Sequence, residues 1–315
     1  MKNFQRRFNM SVLLLCVIIY FIPLNELSCQ QYVLQSQNVF LVVIDGARYS
    51  ETFGGKEKYI PKMWKELRPL GTIYTNFHNE GTTATIPGHL AMETGNWQKI
   101  ANDGSERCSN PTLFEYYRKQ KGGSDSSCFV VSGKKKLHVL THSIDSSYGS
   151  QYQATFVAPD EMLDIKVWMK LVEVIDQHHP RFVLINFPEV DKEGHDGNWN
   201  GYLRAIRQVD SLVFLLWQKI QGDSVYKNTT TMFVTNDHGR HDEQHGGFQH
   251  HGDSCEGCRH IMLLTLGPLF SQNTVISDKA IQVDVAATIA DIFKLKLPSV
   301  QAQNLLYQSR SSESK

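Results

Sequence analysis

The sequence predicts an α/β three-layer sandwich, a mostly parallel central sheet with helices on both faces, and three observations predict it. Short apolar runs alternate with longer segments of helical period, one of those runs leads straight into an aspartate and two others have one close behind them, and no internal repeat or low-complexity linker divides the 315 residues. Strands that alternate with helices form parallel sheets, because each crossover helix must lie over a face of the sheet. Residues 30–315 are therefore expected to fold as one domain.

The first run, at 39–44, is apolar without alternation, as a strand buried on both faces requires. Further strands are expected at 72–77, 129–131, 182–187, 230–235 and 260–266, each β-branched or apolar. Helical period appears near 61–68, 87–94, 112–120, 160–177, 202–220 and 283–293. In the fifth of these, Leu203, Ile206, Val209, Val213 and Leu216 recur at helical spacing and mark a core-facing stripe. Residues 301–315 read as a polar tail.

The N-terminus carries Lys2, Arg6 and Arg7 before an apolar stretch from about Val12 to Leu24, ending in Leu27-Ser-Cys29. This pattern reads as a secretory signal peptide over residues 1–29, hence an exported protein, periplasmic or extracellular. Retention of the segment as a membrane anchor is the alternative. Removing it leaves Cys108, Cys128, Cys255 and Cys258. In an oxidising compartment three pairings are open, the simplest being Cys108 with Cys128 and Cys255 with Cys258. A zinc ribbon would need a second Cys-x-x-Cys, so Cys255-x-x-Cys258 reads as a small structural loop.

Lys+Arg and Asp+Glu both total 32, giving a net charge of +0. The basic run Lys134-Lys135-Lys136 reads as a solvated loop, and no nucleic-acid-binding surface is evident. Oligomeric state has no signature in the sequence.

The chemistry is carried by Asp45, Asp191 and Asp237, each lying just beyond an apolar run. The carboxyl ends of parallel strands share one edge, so residues far apart in sequence converge there. Asp191 and His195 are four apart, on one face of a helical turn, and Asp237 is followed by His238 and Gly239. Six of the thirteen histidines, His238, His241, His245, His250, His251 and His260, fall within one short stretch. Carboxylates and imidazoles at one point suggest a divalent metal; His251-Gly-Asp253 resembles the His-Gly turn that closes related sites and makes His251 a further candidate ligand, with His250 and His245 as its rivals.

Thr85 sits near the N-cap of the helix that Pro87 opens, in Thr85-Ile-Pro-Gly-His89. A threonine hydroxyl becomes a competent nucleophile only beside a metal or base, and a helix N-terminus offers N–H groups to phosphate oxygens. His89, Lys192 and Arg259 lie near the expected centre as candidate substrate contacts.

These residues, in this order, resemble the alkaline phosphatase superfamily, particularly its nucleotide pyrophosphatase/phosphodiesterase-like branch. The resemblance implies an alkaline-phosphatase-like fold and two divalent ions, zinc by preference. Asp45, Thr85, Asp237 and His238 would hold one; Asp191, His195 and His251 the other. It implies hydrolysis of a small anionic phosphate ester, diester or monoester, through a phosphothreonine intermediate at Thr85. Family diesterases also place an asparagine against a phosphoryl oxygen, for which Asn102 is the candidate. Sulfatases of the superfamily carry Cys or Ser in a Cys/Ser-x-Pro-x-Arg motif, whereas this chain has Thr85-x-Pro87-x-His89, which disfavours sulfatase activity. A phosphomutase or phosphoryl transferase on the same fold and a catalytically silent metal-binding protein are the competing readings.

Overall fold

In the computed structural model, residues 35–298 and 302–307 are described. The segment read as a signal peptide lies outside them, and the described residues fall in one compact unit. In chain order the regular elements are β1 (Asn38–Ile44), β2 (Gly71–His78), α1 (Thr85–Thr94), α2 (Leu113–Lys121), β3 (Cys128–Ser132) and β4 (Thr155–Val157). There follow α3 (Asp164–His178), β5 (Phe182–Phe187), α4 (Glu189–His195), α5 (Trp199–Gly222) and β6 (Thr230–Thr235). The chain continues through α6 (Glu256–Arg259), β7 (His260–Leu266), β8 (Thr274–Ile276), β9 (Ala280–Ile281) and α7 (Gln282–Ile292).

Among the described residues nine strands form one sheet in the order β4-β3-β5-β1-β6-β7-β2-β8, with β9 also on β2. The run from β4 to β6 is parallel throughout, and β7 alone runs antiparallel to its neighbours β6 and β2. Strand β1 explains the three layers. Its Phe40, Val42 and Ile44 pack with Val167 and Leu171 of α3 and Ile206 and Val213 of α5 on one face. Its Val39, Leu41 and Val43 pack with Ile86 and Leu90 of α1, Leu113 of α2 and Val285 and Ile289 of α7 on the other. Each such aliphatic side chain contributes about 1.5–3 kcal/mol on burial, which is why the run has no polar position to spare.

All six expected strands are present, and five of the six expected helices form close to their expected places. The segment at 61–68 differs: it is a π-helical turn, Met63–Leu67, followed by a 3₁₀ turn over Arg68–Leu70. Pro69 has no N–H to continue an α-helical ladder, and Asp210 of α5 accepts the Lys62 and Met63 N–H groups at 2.9 and 2.7 Å. The tail differs as well, since Leu305 and Leu306 are buried against the α7 layer. No disulfide joins the described cysteines; Cys108 and Cys128 are thiols within the apolar layer, both pushed up to about 12 by burial. No helix among the described residues is long and apolar enough to cross a membrane.

Candidate metal centre

Four adjacent parallel strands, β3, β5, β1 and β6, each deliver a charged side chain just past their carboxyl ends. These are Lys134, Asp191, Asp45 and Asp237, all buried. Asp45 follows β1 directly, where Gly46 turns the chain at φ +65°. A side chain at Gly46 would lie 2.6 Å from Asp191 Oδ1, so the turn lets two carboxylates approach. Asp191 rises from the first turns of α4, and His195 closes that helix.

Asp45 Oδ2 accepts from Asn186 and from Lys134 Nζ, both at 2.8 Å. Asp237 Oδ1 accepts from the Gly46 and His238 N–H groups at 3.2 and 2.9 Å. Their other oxygens, Asp45 Oδ1 and Asp237 Oδ2, have no hydrogen-bond partner, and neither has His238 Nε2. His238 Nδ1 donates to the Gly239 carbonyl at 2.8 Å, which leaves Nε2 as a lone pair. That nitrogen lies 3.7 Å from Asp45 Oδ1 and 3.5 Å from Asp237 Oδ2. Three fully buried, unpartnered acceptors aimed at one point are what a divalent cation requires and what a closed polar core avoids.

The second half is more open. Asp191 Oδ2 lies 3.5 Å from His195 Nε2, and Asp191 Oδ1 lies 3.7 Å from His251 Nε2. The two imidazole Nε2 atoms are 3.1 Å apart. His251 Nδ1 donates to the Thr83 carbonyl at 2.9 Å, again turning Nε2 inward, and its ring stacks on His238 at 3.8 Å. His250 and His245 are exposed, and His245 pairs with Asp242 at 2.6 Å, so His251 is the late histidine at the centre.

Thr85 is the first residue of α1, with Ala84 as N-cap, so its hydroxyl is not consumed in capping. Gly88 allows this placement: a Cβ there would meet the Asp237 carbonyl oxygen at 2.4 Å, so α1 rests directly on the end of β6. The helix N-terminus is less open to a ligand than expected. Asn102 Oδ1 takes the Ile86 N–H at 2.9 Å, and Ala84 takes that of Gly88 at 2.9 Å.

Lys134 corrects the reading of its basic run as solvated. It is buried, with Nζ 2.6 Å from Asp191 Oδ2 and 3.3 Å from Thr85 Oγ1, while Lys135 is exposed and Lys136 reaches the Asn102 carbonyl at 2.8 Å. Lys134 stands two residues past β3, and the strand-end position that singled out the aspartates would have singled it out too. Arg240, fully buried and paired with Asp191, was also missed.

Electrostatics follow from burial against these cations. Burial pushes Asp45 and Asp191 up, but Lys134 overrides it and holds both below their ordinary values, Asp191 well below. Asp237 has no such neighbour in contact; burial, and then the Asp45 charge, push it up to about 8. Burial lowers His238 to about 4 and His251 to about 3, keeping both neutral as metal ligands must be. Burial would lower Lys134, yet Asp45 and Asp191 raise it.

A cavity of about 460 Å³ opens onto the centre and is lined by Thr85, Asn102, Lys134, Asp191, His195 and His251 among others. Lys192 stands at its rim, paired with Asp196 at 2.8 Å. Two expected contacts are corrected. His89 is wholly buried behind Thr85, donating from Nδ1 to the Thr85 carbonyl at 2.8 Å, and Arg259 pairs with Glu80 at 2.9 Å outside the cavity lining. Helical periodicity puts residue 89 under residue 85, which removes it from the solvent side.

Residues 135–297 match the family model described as the metalloenzyme superfamily, a span that includes Asp191, His195, Asp237, His238 and His251. A 2,3-bisphosphoglycerate-independent phosphoglycerate mutase of Mesoplasma florum is 26% identical over 194 residues, covering 58% of this chain and 32% of the mutase. This chain thus spans about a third of the length of that relative. Among solved structures, an alkaline phosphatase superfamily protein of Vibrio parahaemolyticus aligns with a TM-score of 0.63 at 14% identity, covering 86% of this chain and 70% of that one. Murine ectonucleotide pyrophosphatase/phosphodiesterase 5, solved in complex with AMP, aligns with a TM-score of 0.62 at 15% identity, covering 87% and 99%. The fold is that of the alkaline phosphatase superfamily, and with more than half of its length matched by the family model this chain belongs to the metalloenzyme superfamily.

Proposed function

We propose that this chain is a hydrolase of small anionic phosphate esters, with Thr85 as nucleophile and two divalent ions, zinc by preference, at the strand-end centre. One ion would be held by Asp45, Thr85, Asp237 and His238, the other by Asp191, His195 and His251. The observation that carries the reading is the convergence of the unpartnered atoms Asp45 Oδ1, Asp237 Oδ2 and His238 Nε2 at the strand edge where α1 presents Thr85. Bound divalent ions supply Lewis-acid charge that favours the ionised hydroxyl and offsets the phosphoryl oxygens.

Thr85 Oγ1 then attacks phosphorus in line, the leaving group departs toward the open cavity, and water hydrolyses the phosphothreonine. Lys134, held protonated 3.3 Å from Oγ1, stabilises the negative charge on the attacking oxygen and on the phosphoryl group. Asn102, fixed through its carbonyl oxygen by the Ile86 N–H, keeps its amide nitrogen to donate to a phosphoryl oxygen. Lys134 and Arg240 make the site two charges more positive than its carboxylates and ions alone, which favours anionic substrates. The threonine excludes the formylglycine chemistry of sulfatases. Export rests on the N-terminal segment's charge and apolar pattern.

The mutase relatives favour a second reading, in which the phosphoryl group passes from Thr85 to an acceptor hydroxyl rather than to water. The full-length, zinc-replete protein assayed on nitrophenyl phosphate monoester and diester separates them. Hydrolysis that Thr85→Ala abolishes is the expected result. No hydrolysis of either ester, with Thr85→Ala indistinguishable from the parent, would remove the reading.

A further inference from the structure

A separate set of ligand-type side chains converges where the chain leaves β6 and re-enters the sheet at β7. His241 Nε2 lies 3.2 Å from Asp253 Oδ2. The Asp253 carboxylate contacts the thiols of both Cys255 and Cys258, and the two thiols contact each other. One ligand atom from each of the four residues lies within 4.8 Å of all the others. Tetrahedral zinc with sulfur at about 2.3 Å and nitrogen or oxygen at about 2.0 Å needs ligand separations of about 3.3–3.8 Å, which is within reach of side-chain rotation. His241 Nε2 is buried without a hydrogen-bond partner, and Cys258 is wholly buried.

We propose that His241, Asp253, Cys255 and Cys258 bind a zinc-class divalent ion of their own, as a structural site distinct from the centre at Thr85. Cys255 caps the short α6 and Cys258 lies in its first turn, so one helical turn supplies both sulfurs. The partners that a zinc ribbon takes from a second Cys-x-x-Cys come instead from His241 and Asp253. A Cys255–Cys258 disulfide would use both sulfurs and leave His241 Nε2 with only the Asp253 carboxylate at 3.2 Å, whereas a metal satisfies all four groups. Binding displaces the two thiol protons to solvent, so affinity rises with pH.

The site has a structural consequence. Gly239 N–H donates to the Cys258 carbonyl at 2.8 Å and His241 N–H to that of His250 at 2.9 Å. Thr83 Oγ1 donates to the Asp253 carbonyl at 2.7 Å, and Thr83 in turn receives His251 Nδ1. A metal here staples the segment that carries His238 to the loop that carries His251, so it positions a ligand of the neighbouring centre without touching it.

The test is metal content and cobalt spectroscopy on the full-length protein. Zinc-loaded parent should hold three ions per chain, and Cys255→Ser/Cys258→Ser two. Cobalt-loaded parent should show a thiolate-to-cobalt charge-transfer band that the double variant lacks. Should that variant fold poorly, an organomercurial titrated into the zinc-loaded parent should release one ion to a chromogenic chelator. Two ions per chain with no thiolate band, or a Cys255–Cys258 disulfide in the metal-replete protein, would overturn the proposal. A thiolate band in a protein that hydrolyses no ester supports this site while refuting the proposed activity.

Discussion

Gly88→Ala probes the contact that sets the nucleophile against the metal ligands. The new Cβ would lie 2.4 Å from the Asp237 carbonyl oxygen and 2.9 Å from its carbon. A relaxed contact needs about 3.5 Å, so α1 and the end of β6 must part by roughly 1 Å. Every residue of α1 is buried, so no flexible side chain can yield in its place. Overpacking of this kind costs about 1–3 kcal/mol, and a displacement near 1 Å of a catalytic group costs about 100-fold in rate. The expected result is a kcat on nitrophenyl phosphate lowered about 100-fold, with urea denaturation showing the stability loss. Gly122→Ala is the control: Gly122 caps α2 at φ +67° with nothing within 4 Å, so its replacement costs about 1–2 kcal/mol of backbone strain and leaves kcat unchanged. A Gly88→Ala enzyme with parental kcat and stability would refute the packing argument.

Two further outcomes follow from the charges. Lys134→Met removes the cation between Asp45 and Asp191, and without metal the fold should lose about 3–5 kcal/mol. Urea denaturation in chelator against excess zinc should show the metal restoring most of it, whereas equal stability of variant and parent in chelator would contradict the role given to Lys134. Burial pushes the Asp210 carboxyl up to about 6, above its unfolded value of about 3.9. The folded state therefore holds this proton more tightly, and its stabilising contribution is complete below about pH 4 and lost as pH rises through about 6. Relative to Asp210→Asn, the parent should lose on the order of 3 kcal/mol over that window, measured as the pH dependence of the denaturation midpoint; a difference that does not change with pH would contradict it.

Much of this architecture was legible because β1, β5 and β6 are buried on both faces and so cannot alternate. Their apolar runs stand out, and the aspartates that end or follow them mark the sheet edge. Strands β4, β8 and β9 were not legible: at three, three and two residues, and only partly buried, they carry too little pattern. Lys134 was lost for a different reason. A run of lysines is ordinarily a solvated face, and only tertiary placement shows that its first member points inward to two carboxylates while the next is exposed. His89 failed in the opposite sense, since proximity to Thr85 in sequence suggested contact with a ligand and helical geometry buried it. Cys255 and Cys258 looked like a self-contained loop because their partners, His241 and Asp253, come from flanking segments that only the fold brings together.

Acid quench of the zinc-replete protein during turnover of a nitrophenyl phosphate, followed by peptide mass spectrometry, tests the central claim most directly. A phosphoryl group on Thr85, absent from Thr85→Ala and from chelator-treated protein, is the expected result. Turnover that proceeds with the phosphoryl group on another residue, or undiminished in Thr85→Ala, would contradict it.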